Sequence, residues 1–251
     1  MPEVECNVSL RASFGILRLV VALVCAVSLV ARFIWGLGSA TFTASNFFAY
    51  LTIQSNIAFV VVSVLGGIYA LRRAEDPRWL NTLRVTVLSC TVSAGIVFAV
   101  LIQQAGARNF RIDVPWSDQI LHFWLPGLAI LGWIAAPGRG AGLKRALLFV
   151  LGYLMLWGAV TLVRGSFVGW YPYFFLDPAQ VNSFGEFGFF CALALTLFTL
   201  VTTSLLAVSR TRPLGEREDV LAALARFRDA AATRRGMVRG LSAQSRRVRR
   251  R

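Results

Sequence analysis

Six apolar runs, at 15–37, 47–71, 85–104, 119–136, 146–163 and 187–208, decide what this chain can fold into. A helix crosses the hydrocarbon of a bilayer with about 20 residues, and lipid offers no partner to an open sheet edge. The expectation is an all-α polytopic membrane protein, a six-helix transmembrane bundle. Composition agrees, since 57% of the residues are hydrophobic and the mean hydropathy is +0.64, whereas soluble domains run about 45–50% apolar. The connections are short, so residues 1–208 read as one membrane domain. The first run exceeds a signal-peptide apolar region and carries Arg32 near its far end, so it reads as a span.

The basic residues set the orientation. Arg72, Arg73, Arg78 and Arg84 lie at the second-to-third connection, and Arg139, Lys144 and Arg145 at the fourth-to-fifth. The alternate connections carry few, which places both termini on the cytoplasmic face of the cell membrane. The tail at 209–251 holds thirteen arginines against Glu216, Glu218, Asp219 and Asp229, or +9 of the net +14. Within it, 216–232 sets Val220, Leu221, Leu224 and Phe227 on one face with arginines opposite, as expected of a helix lying on the inner leaflet. Anionic headgroups, and not nucleic acid, are the expected partner of this tail. The 25:1 excess of arginine over lysine suggests a GC-rich bacterial genome. Four scattered cysteines and a single histidine point to no disulfide framework, no metal and no cofactor.

That histidine lies in the fourth run. Asp118 and His122 are four apart, on one helix face, and Pro126 removes the N–H that would bond the His122 carbonyl and favours a kink. An imidazole, a carboxylate and a freed carbonyl thus meet within one turn, where ionisable groups are functional candidates. The alternative is a histidine that merely bonds a neighbouring helix. In the second run Thr52, Ser55 and Asn56 share a face beside Gln54, either as helix glue or as a site. At 1.5 Å per residue, Thr52 lies roughly 5–8 Å below the outer end of its helix and His122 roughly 5–6 Å below that of its own. Polar groups concentrated at one level predict a cavity near the outer leaflet. The aromatic connection with Trp170, Tyr171 and Tyr173 is either an interfacial belt or a cap over that cavity. Arg32 is read first as a snorkelling side chain and second as the partner of a carboxylate on another helix.

Three stretches carry a resemblance: Phe47-Phe-x-Tyr-x-Thr-x-Gln-Ser-Asn56, Asp118-x-x-x-His-x-x-x-Pro126 and Gly169-Trp-Tyr-Pro-Tyr-Phe-Phe-Leu-Asp177. Together they resemble bacterial six-span proteins distantly similar to the animal androgen-induced membrane proteins, intramembrane hydrolases of fatty acid esters of hydroxy fatty acids. The resemblance covers roughly 12–208. It implies a threonine nucleophile at Thr52 and a catalytic histidine at His122, acting on a lipid or acyl-ester substrate. On that footing Asp118 is the expected orienter of the imidazole, and Asn56 or Gln54 the expected donor to the oxyanion. A lipid or small-molecule binder or transporter, and a structural membrane protein, are the alternatives.

Overall fold

The computed structural model describes residues 2–107, 113–140, 145–217 and 222, and these are helices and their connections. In chain order they are α1 (Pro2–Leu37), α2 (Ala44–Ala49), α3 (Leu51–Arg72), α4 (Arg78–Ala107), α5 (Trp116–Gln119), a π turn (Ile120–Trp124), α6 (Leu125–Ala135), α7 (Arg145–Val168) and α8 (Phe184–Ser209). Short 3₁₀ turns lie at Phe174–Leu176 and Leu214–Glu216. Helices α1, α3, α4, α7 and α8 are long and apolar enough to cross a membrane. The chain is therefore an all-α polytopic bundle. Apart from 216, 217 and 222, the expected amphipathic segment at 216–232 lies outside the described residues.

Consecutive long elements run in opposite directions. One end gathers Arg11, Asp76, Pro137 and Glu216; the other gathers Arg32 with Asp118, Asn46 with Arg164, and Tyr50 with Trp170. Large apolar side chains such as Leu23 and Val27 on α1 and Leu148, Met155 and Leu156 on α7 stay more than half exposed on the perimeter, a surface fit for acyl chains. Without water to expel, helices in lipid associate through close packing and hydrogen bonds.

Helix α4 is the axis. It packs on α3, α6, the π turn, α7 and α8, and it contributes to each of three apolar clusters: Val87 beside Cys25, Phe59 and Leu121; Val85 and Leu88 beside Trp133 and Leu205; and Cys90 beside Leu51, Val150 and Phe198. Its centre, Ser89-Cys90-Thr91-Val92-Ser93-Ala94-Gly95, is small enough to be approached from several sides. Ser89 and Thr91 hydroxyls bond carbonyls of their own helix (2.8 and 3.2 Å) and so are buried with partners.

The helix ends follow local chemistry. Ser183 caps α8 by accepting from the Glu186 N–H, and Glu186 in turn accepts from the Asn182 N–H at 2.7 Å. Gly169, at φ +64°, ends α7 in the left-handed conformation that glycine adopts freely. One boundary departs from the sequence reading. The second apolar run is not one helix from residue 47, because Tyr50 is extended (φ −64°, ψ 131°) and separates α2 from α3.

At the end where α1 begins, Asp76 is fully enclosed by three arginines: Arg11 (2.7 Å), Arg18 (3.0 Å) and Arg84 (2.7 Å). Arg11 also donates to the carbonyls of Arg73 and Pro137, so one cluster ties α1, α3, α4 and the α6–α7 connection together.

Candidate active site

The break at Tyr50 creates the first wall of the site. Leu51, Thr52 and Ile53 become the first turn of α3, whose N–H groups have no acceptor within the helix. No side chain caps this end, and the helix dipole places partial positive charge there. Thr52, 7% exposed, and Ile53 line a cavity of about 280 Å³.

The second wall is the π turn. Pro126 cannot bond the His122 carbonyl, and the chain passes it by a wide turn in which the Leu125 N–H reaches back to the Ile120 carbonyl. The expected irregularity at Pro126 takes this form. The freed His122 carbonyl lies against α4 at Gly95, where a Cβ would stand 2.2 Å from that oxygen. Gly95→Ala is therefore expected to destabilise the bundle by about 1–3 kcal/mol through overpacking, read as a lower melting temperature in detergent.

The imidazole is held on three sides. Its Nδ1 lies 2.9 Å from the Asp118 carbonyl oxygen. A carbonyl only accepts, so Nδ1 carries the hydrogen and Nε2 presents its lone pair. Phe98 stacks on the ring at 3.8 Å between centroids. The Asp118 carboxylate is 4.0 Å from Nδ1 but receives Arg32 Nε at 2.8 Å. Asp118 thus orients the ring through its main chain, and its side chain belongs to Arg32. Of the two readings of Arg32 the interhelical partner is the one observed, with its guanidinium 4.5 Å from the Trp35 ring.

Arg32, Thr52, Asp118, His122 and Tyr173 share this one cavity. Asn56 and Gln54 do not line it. Asn56 Nδ2 donates to the Thr52 carbonyl at 2.9 Å, and its Oδ1 accepts from Cys25 Sγ. Gln54 donates to the Phe48 carbonyl and accepts from the Tyr153 hydroxyl at 2.7 Å, in a separate cleft beside Arg164. Neither of the two amides expected as oxyanion donors lines this cavity, and the polar hydrogens at Thr52 are the first-turn N–H groups of α3 and the phenol of Tyr173.

Of the aromatic residues in the α7–α8 connection, Trp170, Tyr171 and Tyr173 divide in role. Trp170 meets Tyr50 edge-on at 5.4 Å and lies under the Arg164 guanidinium. Tyr171 packs on α7 at Gly165, where a Cβ would meet its ring at 2.0 Å. These two fasten the segment, and Pro172 and Tyr173 reach the cavity. Burial pushes the Tyr173 phenol up to about 12, against the opposing effect of its hydrogen bond with Thr52. It remains a donor at any physiological pH.

Tyr173 also forms a wall of a second chamber of about 380 Å³, between α7 and α8. Its lining is almost entirely apolar, including Leu51, Leu154, Trp157, Leu162, Leu195 and Phe198, and it shares Ala94 and Val97 with the first cavity. Tyr50, Gly95 and Phe98 were not among the sequence candidates. Only Gly95 had a signal, since a carbonyl freed by Pro126 needs a neighbour without a side chain. Among the described residues no three His, Cys, Asp or Glu side chains gather to hold a metal ion. Comparison with family models, with curated proteins and with solved structures yields no match.

Proposed function

We propose that this protein is an intramembrane hydrolase of fatty-acyl esters with Thr52 as nucleophile and His122 as base. The observation that supports it is that both side chains line one cavity, with the imidazole in the Nδ1–H tautomer and the N-terminus of α3 beside Thr52. In this reading Thr52 Oγ attacks the ester carbonyl and its proton passes to His122 Nε2. The oxyanion is stabilised by the first-turn N–H groups of α3 and by the Tyr173 hydroxyl. Collapse expels the alcohol, which takes the proton back from His122. Water, deprotonated by the same nitrogen, then releases the fatty acid and restores Thr52. In this reading the acyl chain occupies the apolar chamber between α7 and α8, which shares Ala94, Val97 and Tyr173 with the cavity at Thr52.

The same reading makes Trp116–Ala135 the sixth span. It is helical through the π turn, and at 1.5 Å per residue it extends about 30 Å, the thickness of the hydrocarbon. The arginine-rich end then faces the cytoplasm of a bacterial cell, and the cavity lies toward the outer leaflet.

The test is turnover of long-chain acyl esters by the purified protein in detergent, together with labelling by a lipophilic fluorophosphonate and peptide mass spectrometry. Turnover with the label on Thr52 is the expected result. Absence of turnover across chain lengths, or a label elsewhere, would overturn the proposal and leave the cavity as a binding site. Tyr173→Phe is expected to lower kcat by as much as about 10² without a matching change in KM, as for loss of one oxyanion donor. Initial rates over a substrate series check this.

A further inference from the structure

The arginine cluster at the end where α1 begins is unbalanced. Arg11, Arg18 and Arg84 surround a single carboxylate, Asp76, whose side chain has no exposed surface. Every nitrogen of Arg11 has an acceptor, from Asp76 and two carbonyls. Arg18 is not, because its Nη1 bonds Gly66 O and Asp76 while its enclosed Nη2 has no acceptor among the described residues. A guanidinium nitrogen in such a place is costly without one.

Arg18 and Arg84 both line a cavity of about 80 Å³ between α1, α3, α4 and α6, and Ser63 is its other polar member. The rest is apolar, including Phe14, Val21, Phe59 and Trp133. Two of its walls, Leu17 and Leu128, are nearly half exposed on the bundle perimeter, so the cavity opens sideways between α1 and α6. Its charged floor lies toward the end where α1 begins: Arg18 stands three residues into the apolar run at 15–37, about 5 Å at the rise of a helix.

We propose that this cavity binds an anionic lipid, with a carboxylate or phosphate head on Arg18 and Arg84 and an acyl chain leaving between α1 and α6. The charge balance calls for an anion and the sideways, apolar mouth calls for an acyl chain. A guanidinium pair matches the oxygens of either head group. The site is separate from Thr52 and His122, and the proposal does not depend on the hydrolase reading.

The test is photolabelling of the full-length protein in detergent with a diazirine-bearing palmitic acid. Competitors are palmitic acid, lysophosphatidic acid, palmitoyl alcohol and inorganic phosphate, and labelled peptides are mapped by mass spectrometry. Label is expected on the α1 and α6 peptides around Leu17, Val21 and Leu128. It should be displaced by the two charged amphiphiles and not by the alcohol or by inorganic phosphate. Arg84→Gln is expected to bring labelling to background. Should that variant fail to fold, Gly132→Leu serves instead: Gly132 lines the cavity, and a Cβ there meets nothing within 4 Å, so leucine fills the space and leaves the arginines untouched. Its melting temperature should hold while labelling is lost. Displacement by the neutral alcohol, displacement by inorganic phosphate, label mapped elsewhere, or full labelling of folded Gly132→Leu would each overturn the proposal.

Discussion

His122→Ala is expected to lower the rate of acyl-ester hydrolysis by about 10²–10⁴, the range for loss of a positioned general base. Thr52→Ala should cost at least as much, since it removes the proposed nucleophile itself. The pair is more informative than either alone. Residues that act as one unit are grossly non-additive, so the double variant should be no slower than the slower single one. A double variant whose loss equals the product of the two single losses would show that the side chains act independently, and the dyad would be abandoned. Neither substitution should unfold the bundle. Each truncates one side chain at a cavity wall, and Phe98 of α4, which covers the imidazole, is left unchanged. Melting curves in the same detergent make that comparison.

Asp76→Ala is expected to have the largest effect on stability, about 3–5 kcal/mol, the cost of removing one partner from a buried ion pair. Here the loss leaves three guanidinium groups, Arg11, Arg18 and Arg84, without the one carboxylate they share. Asp76→Asn keeps the size and much of the hydrogen bonding but not the charge. It should approach the alanine variant if repulsion dominates, and the wild type if hydrogen bonds dominate. We expect the former, with partial rescue by Arg11→Gln in the asparagine background. Thermal melting and the yield of folded protein read both. The main chain of residue 76 bonds Gly138 and Asn81, so these substitutions leave that turn in place.

Much of this bundle was legible in the sequence because hydropathy and length settle where helices cross lipid. The spacing of Asp118, His122 and Pro126 gave a freed carbonyl, and the structure sets it against Gly95. Depth along the helices placed Thr52 and His122 at one level, and they line one cavity. Other features were hidden for identifiable reasons. Tyr50 interrupts a continuous apolar run with neither glycine nor proline to mark it, so the N-terminus of α3 beside Thr52 left no trace. Asn56 stood on the right face by helical spacing, but the same spacing brings its amide to the Thr52 carbonyl, and the local bond takes it out of the cavity. Arginines near the termini suggested interfacial charge. That Arg11, Arg18 and Arg84 converge on one aspartate depends on how three helices and a loop cross, which charge patterning does not encode.

The hydrogen bond from His122 Nδ1 to the Asp118 carbonyl makes the orientation of this imidazole robust in inheritance. Where a carboxylate side chain fixes the tautomer of a histidine, one codon change abolishes the arrangement. Here the acceptor is main chain, common to all twenty residues, and substitution at position 118 leaves it in place so long as the π turn persists. Drift at 118 would thus register first in the tie to α1 through Arg32. Loss of the tautomer would call for an insertion, a deletion or a change at Pro126 that rewinds the turn.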